Sequence, residues 1–300
     1  MSVTRDRIPN VTTSDKSSQP DSVTWQWRSW EGLPYLTCSL LDSWRHGFFT
    51  QNFSPKTPSD LVEVLHPQAR VYRVKQVHGK AVLKTSEIRP FSIPDEDATS
   101  TGQNSSETLV EADGILTKQE LEAVWVCSAD CVPVLIADVE TGQVAAVHAG
   151  WRGTATKIVP EAIAHFAASG SQLANLRVAL GPAIAGNVYQ VSLDVAIQLG
   201  RTIAPELADN STDLLEFLQQ MPEAPVLPDS QPGKVRLDVR RFNALQLEQL
   251  GINLEQVAIA PECTYSNPTH FYSYRRDGLK KVQWSGIVST SRGLKTPSHN

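Results

Sequence analysis

The sequence predicts a mixed α/β (α+β) fold. Short apolar runs typical of strands and longer periodic runs typical of helices are interspersed, without the regular alternation of a Rossmann fold. Two apolar runs, 132–138 and 143–149, flank the turn residues Glu140-Thr141-Gly142 and therefore indicate a central hairpin. The length of 300 residues fits one large domain or two small ones.

The other elements follow from local patterns along the chain. Apolar runs predict strands at 24–40 (one or two), 44–50, 71–77, 121–127, 176–180, 257–260 and 282–289. Helical periodicity predicts helices at 57–65, 156–168, 193–203, 213–220 and 237–250. The prolines predict a loop at 224–234, and 271–278 is interpreted as a strand end and turn. The polar composition predicts a disordered N-terminal tail at 1–23, a mobile insertion at 92–107 and a C-terminal tail at 291–300.

The composition excludes several classes of protein. A net charge of −5 gives no support to binding of nucleic acid or of an anionic membrane. No run reaches the roughly 18 apolar residues that span a bilayer, and the polar N-terminus is unlike a signal peptide. The four cysteines are too few and too scattered for a disulfide framework, which favours a reduced, cytoplasmic compartment.

The central hairpin predicts the position of two reactive side chains. If a two-residue turn places Val139 opposite Gly142, then His148 lies opposite Pro133 and Cys131 lies opposite Gly150. Cys131 and His148 are then diagonal neighbours at the open end, roughly 7 Å apart or less at Cβ. A three-residue loop would break this parity.

The segment after the hairpin has the composition of an anion site. Gly150, Arg152 and Gly153 precede a helical run, and such a junction offers backbone N–H groups and a cation to phosphate. Arg152 binds phosphate or a substrate oxygen in this interpretation, whereas pairing with a surface carboxylate is the alternative. The spacing is not that of a Walker loop.

A metal site is the main chemical hypothesis. His78, Cys131 and His148 supply two imidazoles and a thiolate, a set that leaves a fourth zinc position open. From the residues alone, a single histidine or cysteine is more often structural. Asp130 is interpreted as orienting a ligand imidazole or binding a ribose hydroxyl, with turn capping as the alternative.

Other candidates carry weaker expectations. Cys127 forms a Cys-x3-Cys pair with Cys131, but we expect it to pack in the core. Two positions are equally compatible with Cys263: burial in the core, or the lining of the active-site cleft. His46 is a weak pocket candidate, and the turn 275–277 either closes the site or is solvated.

Eight motifs, in order, resemble one family. They are His46-Gly-Phe-Phe-Thr50, Lys75-Gln-Val-His-Gly79, Ala112-Asp-Gly114, Ala129-Asp-Cys-Val-Pro133, Val147-His-Ala-Gly-Trp-Arg-Gly153, Leu180-Gly-Pro-Ala-Ile184, Cys263-Thr264 and Phe271-Tyr-Ser-Tyr-Arg-Arg-Asp-Gly278. Together they resemble the bacterial YfiH-type laccase-domain proteins. These have been called polyphenol oxidases or peptidoglycan-editing factors, and are now regarded as purine nucleoside phosphorylases.

The resemblance implies a single layered domain at 24–290, with mixed β-sheets flanked by helices. It implies zinc on His78, Cys131 and His148, with copper as an alternative metal. It also implies phosphorolysis of adenosine, inosine, guanosine and methylthioadenosine, with adenosine deamination as a second activity. Arg152, Gly150 and Gly153 are the candidates for the phosphate site, and we expect a monomer.

Two segments depart from the family pattern. Gln51-Asn52-Phe53 follows the first motif, where the family usually has an arginine that could help to bind an anion. Ala185-Gly186-Asn187-Val188 replaces the family's usual pair of cysteines.

Three other functions compete with the phosphorylase. A copper-associated, laccase-like polyphenol oxidase would need many histidines, whereas the chain has seven and no His-x-His pair. A metal-free cysteine hydrolase would use Cys131 as nucleophile and His148 as base. A non-enzymatic zinc protein of cell-wall maintenance is the third.

Overall fold

The computed structural model describes residues 23–90 and 109–290. Three predicted segments lie outside these ranges: the tails at 1–23 and 291–300 and the insertion at 92–107. Val23 alone of these residues is described. The single-domain boundaries at 24 and 290 stay a prediction.

Strands and helices alternate irregularly, as predicted. The strands are β1 (Trp25–Trp30), β2 (Leu33–Cys38), β3 (His46–Phe49), β4 (Arg70–Tyr72), β5 (Val82–Lys84), β6 (Gly114–Thr117), β7 (Glu122–Ser128), β8 (Val132–Asp138), β9 (Val144–Ala149), β10 (Leu176–Leu180), β11 (Gln190–Ser192), β12 (Val226–Pro228), β13 (Lys234–Leu237), β14 (Val257–Ile259) and β15 (Gln283–Val288). The helices are α1 (Pro58–Leu65), α2 (Trp151–Ala155), α3 (Ile158–Ala168), α4 (Leu193–Gly200), α5 (Ser211–Gln220), α6 (Val239–Gln249) and α7 (Tyr274–Asp277).

The strands form two six-stranded sheets and one small sheet. The strand orders are β1-β2-β3-β15-β7-β4, β14-β10-β8-β9-β6-β5 and β11-β13-β12. The pairs β4–β7, β5–β6 and β10–β14 are parallel, whereas the other pairs are antiparallel. The mixed sheets confirm the predicted fold class.

The large sheets and helices form layers. Phe48 and Val124 of the first large sheet pack with Ile115 and Leu135 of the second, so the two sheets share one apolar core. Helix α3 packs on the other face of the second sheet, and α4, α5 and α6 extend the same apolar core. Helix α1 packs on the first sheet through Leu61. Strand side chains alternate between faces, which explains how each sheet serves two cores.

Several segments differ from the sequence prediction. The strand expected at 71–77 ends at Tyr72, and β5, β6, β11 and β13 were not predicted. Three further differences have a clear local cause. The helix expected at 156–168 is preceded by α2, and the left-handed Lys157 (φ 59°) separates α2 from α3. The expected loop 224–234 contains β12, which tolerates Pro228 because β12 is an edge strand. The expected strand end at 271–278 is instead the short helix α7, capped by the Ser273 hydroxyl and ended by the left-handed Gly278.

No helix in the described parts of the chain is long and apolar enough to cross a membrane.

Candidate metal centre and active site

The β8–β9 hairpin has the predicted register. Pro133 lies opposite His148, and Val132 lies opposite Ala149. The turn is longer than expected, because Asp138 N–H donates to the Gln143 carbonyl at 3.0 Å and four residues lie between them. Since four is an even number, the facing pairs are unchanged.

The structure brings His78, Cys131 and His148 together. Their ligand atoms all lie within 4.8 Å of one another. The two imidazole rings are nearly perpendicular, with centroids 4.8 Å apart. A Cβ at Gly150 would lie 2.8 Å from the Cys131 sulfur, so glycine is needed beside the thiol. This group could hold a metal ion.

Asp113 fixes the geometry of this group. Its fully buried carboxylate accepts a hydrogen bond from His148 Nδ1 at 2.9 Å, which leaves Nε2 for Cys131. It also accepts from the backbone N–H of His78 (2.9 Å) and of Gly79 (2.7 Å). These bonds hold His78 in a left-handed conformation (φ 61°). The sequence analysis missed this role, although Asp113 lies in the Ala112-Asp-Gly114 motif.

The pKa values of the group favour charged side chains. Burial raises the pKa of the Cys131 thiol, but the adjacent His148 and His78 outweigh burial and lower it. Burial lowers the pKa of His148, but the Cys131 thiolate and Asp113 outweigh burial and raise it. Burial raises the pKa of Asp113, and the bonds from His148 and the backbone bring it below its ordinary value. The thiolate is therefore available as a ligand or nucleophile near neutral pH.

Asp130 attaches helix α7 and two loops to the Cys131 segment. One carboxylate oxygen accepts from the Thr264 hydroxyl and the other from the Arg275 backbone N–H, both at 2.7 Å. Its carbonyl accepts from Ile184 N–H. Among the described residues, no imidazole bonds to Asp130, and its bond from the Arg275 N–H in the first turn of α7 is of the kind expected for turn capping. Binding of a ribose hydroxyl stays a prediction.

Arg152 lies on the exposed side of α2. Its guanidinium lies over the Trp151 ring at 4.4 Å, and no hydrogen-bond acceptor within 23–90 or 109–290 engages it. Gly153 is buried, and a Cβ there would lie 3.1 Å from the Gly79 carbonyl oxygen. The two glycines therefore have packing roles, and their assignment with Arg152 to phosphate stays a prediction.

Tyr189 and Arg275 form a further wall near the thiol. The Arg275 guanidinium lies 4.7 Å from the Tyr189 ring centroid, and its Nη1 donates to the Gln190 carbonyl at 2.7 Å. Burial, and then the negative charge at Cys131, raise the pKa of Tyr189 to about 12. Tyr189 lies in a loop without a motif or periodicity, so the sequence held no signal for it.

Cys127 is excluded from the ligand group. It is half-buried rather than in the core, and burial raises its pKa to about 11. Cys263 is also half-buried, and its sulfur accepts from Ala185 N–H at 3.3 Å.

Two other residues of the first motif region have structural contacts. His46 is buried, and its ring nitrogens bond to Cys38 N–H and the Trp44 carbonyl, which makes it structural. Gln51 donates to the carbonyls of Pro268 and Thr269 and so anchors a loop where the family has arginine.

A family profile described as "Multi-copper polyphenol oxidoreductase laccase" matches residues 59–288. The chain is 48% identical to Purine nucleoside phosphorylase slr1573 of Synechocystis, over 88% of this chain and 97% of the relative. It is 29% identical to a purine nucleoside phosphorylase of Bacteroides thetaiotaomicron, over 69% of this chain and 71% of the relative.

Solved structures share the fold. YlmD from Geobacillus stearothermophilus has a TM-score of 0.69 and 24% identity, over 88% of this chain and 99% of that one. The Bacillus licheniformis hypothetical protein YfiH has a TM-score of 0.66 and 23% identity, over 88% of this chain and 99% of that one. With the profile match and the Synechocystis relative, the chain belongs to the laccase-domain family of YfiH-type proteins.

Proposed function

We propose that the protein is a zinc-dependent purine nucleoside phosphorylase that acts on adenosine, inosine, guanosine and methylthioadenosine. The observation that carries the proposal is the convergence of His78, Cys131 and His148, with Asp113 behind His148. The names of the Synechocystis and Bacteroides relatives support the reaction.

The donor set fits zinc. Two imidazoles and a thiolate suit this borderline-soft ion, and three protein ligands leave a fourth position for a small molecule. The Asp113 carboxylate behind His148 is the usual outer partner of a zinc-bound imidazole. When bound, zinc would supply a Lewis acid that polarises an oxygen in the site. The same donors accept copper, which is the alternative metal.

The chain's own residues would bind and orient the reactants. In phosphorolysis, a phosphate oxygen forms a bond to C1′ of the ribose, and the bond from C1′ to the purine nitrogen breaks. Positive charge develops on the sugar, as in glycosyl transfer generally. Arg152, the cation beside the ligand strand, would hold phosphate together with the backbone at Gly150 and Gly153. Asp130 would keep the neighbouring loops in register with Cys131.

Adenosine deamination is the second activity in this proposal. It replaces the C6 amino group by an oxygen from water and releases ammonia. Inosine and ammonia formed without phosphate would support it.

The copper-oxidase alternative has less support in the site. Its basis is the family description, which concerns the family rather than this chain. A multicopper centre requires several histidine clusters, and in the described residues only one group of three candidate ligands occurs. We further propose that the protein is a cytoplasmic monomer whose small-molecule partners are purine nucleosides and phosphate.

The decisive experiment measures base release from adenosine and inosine by protein of known metal content, with and without phosphate. Ribose 1-phosphate is followed by mass. We expect phosphate-dependent formation of free base and ribose 1-phosphate in equal amounts. Zinc-loaded protein that forms neither product would contradict the phosphorylase and favour a binding or cell-wall role.

A further inference from the structure

We propose that Arg275 is a second phosphate-binding cation, which acts with Arg152 and is positioned by Tyr189 and Asp130. This inference rests on the proposed phosphorylase. It adds a phosphate-binding cation to a site in which Gln51 replaces the arginine that the family usually has.

The backbone of Arg275 is attached to the thiol segment. Its N–H donates to the Asp130 carboxylate at 2.7 Å, and Asp130 directly precedes Cys131. The other oxygen of that carboxylate accepts from the fully buried Thr264 hydroxyl at 2.7 Å. Helix α7 is therefore held at the edge of the candidate site.

The neighbouring arginine shows what is unusual about Arg275. The Arg276 guanidinium donates to the carbonyls of Thr264, Tyr265 and Phe271, at 2.8 to 2.9 Å, and to the Asp277 carboxylate. Arg275, in contrast, is exposed and gives one bond, from Nη1 to the Gln190 carbonyl. In the described residues its Nε and Nη2 have no acceptor. Within 23–90 and 109–290, no carboxylate pairs with the positive charge of Arg275.

An aromatic ring stacks against each of the guanidinium groups of Arg275 and Arg152. Arg275 lies over Tyr189 at 4.7 Å, as Arg152 lies over Trp151 at 4.4 Å. Stacking restricts the rotation of a guanidinium and leaves its N–H edge available for bidentate phosphate binding.

Both cations are attached to the thiol segment. Arg275 is held by Asp130, which directly precedes Cys131. Arg152 follows Gly150 by two residues, and a Cβ at Gly150 would lie 2.8 Å from the Cys131 sulfur. A phosphate near Cys131 would therefore meet two positive charges, which suits a dianion. We infer that Arg275 binds phosphate and takes no part in bond making.

The first test separates phosphate binding from nucleoside binding. In Arg275→Ala we expect the KM for phosphate to rise about tenfold or more, because a charge-assisted bond is lost. The KM for inosine should change less than about twofold. Arg275→Lys should recover only part of the loss, because an ammonium lacks the planar fork. The matched control is Lys280→Ala, an exposed cation near the same turn.

Tyr189 variants test the positioning role. Tyr189→Phe keeps the ring and should keep the KM for phosphate, whereas Tyr189→Leu removes the stack and should raise it. An active enzyme in which Arg275→Ala leaves the KM for phosphate unchanged would overturn the proposal.

A binding measurement separates this inference from the proposed function. Calorimetric titration of zinc-loaded protein with inorganic phosphate requires no turnover. If the wild type binds phosphate but releases no base, the phosphorylase fails, whereas loss of binding in Arg275→Ala still supports the cation. Equal binding by the two proteins, or no binding by the wild type, overturns it.

Discussion

Two buried carboxylates flank the candidate metal centre, and they hold different parts of it. Asp113 bonds to the imidazole of His148 and to the backbone that carries His78. Asp130 bonds to Thr264 and to the backbone of Arg275, and in the described residues to no imidazole. The comparison indicates that one acid orients the candidate ligands and the other orients the surrounding segments.

The two acids also differ in what a substitution would leave behind. Loss of the Asp113 carboxylate frees a ligand to rotate, whereas loss of the Asp130 carboxylate frees a turn that bears a cation. Three variants and one labelling experiment, from the largest expected effect to the smallest, test this division.

Cys131→Ser removes the candidate ligand that lies between the two acids. We expect zinc content to fall to near zero and activity to fall more than about a hundredfold, since a hydroxyl is a poor zinc ligand. Elemental analysis and base release measure both. The matched control is Cys127→Ser, four residues away, which should keep metal and activity. An active, metal-free Cys131→Ser protein would disprove the zinc assignment.

Asp113→Asn tests the ligand-orienting side. Zinc affinity should weaken about 10- to 100-fold, because the amide lacks the charge that fixes the His148 tautomer. Competition with a chelator of known affinity measures it. Unchanged zinc affinity would show that the ligands hold their own geometry.

Asp130→Asn tests the loop-orienting side. Zinc affinity should stay within about twofold of the wild type, while stability falls by about 1–3 kcal/mol because a buried hydrogen bond is lost. The KM for phosphate should also rise in Asp130→Asn. Thermal unfolding, chelator competition and steady-state kinetics provide the readouts. A loss of zinc as large as that of Asp113→Asn would erase the distinction between the acids.

Alkylation of metal-free protein gives the smallest and most local test. The pKa of Cys131 is lowered, so its side chain is a thiolate at pH values well below 9. The pKa of Cys127 is about 11, so its side chain is a protonated thiol at the same pH values. The labelling rate at Cys131 should therefore fall only on acidification, while that at Cys127 should rise toward pH 11. Mass spectrometry of each peptide against pH measures this. Faster labelling of Cys127 at neutral pH would contradict the pKa assignments.

The sequence predicted the site where local rules apply. A hairpin with an even turn places Cys131 and His148 together through adjacent strands, so their proximity followed from counting residues. His78 was a candidate by residue type, but its proximity could not be counted in this way, because its loop reaches the hairpin through tertiary contacts. The mixed sheets were predicted as a class, although strand order depends on long-range pairings that no local pattern contains.

The supporting residues were not predictable in the same way. Asp113 is 35 residues from His148, and only the pairing of β6 with β9 brings them together. Tyr189 belongs to a loop without periodicity, and its importance depends on the Arg275 guanidinium that lies over it. Helix α7 was mistaken for a strand end because a serine cap and a left-handed glycine outweigh its aromatic residues.

The four-residue turn at 139–142 also restricts how this chain can change in length. A single insertion or deletion there would shift β9 by one position and turn His148 to the opposite face of the sheet, unless a bulge absorbed it. A change of two residues would keep the face, although it would displace the ring along the strand. We therefore expect length variation among functional relatives to concentrate in other loops. The capacity to hold a metal ion then depends on whether a distant surface turn contains an even number of residues.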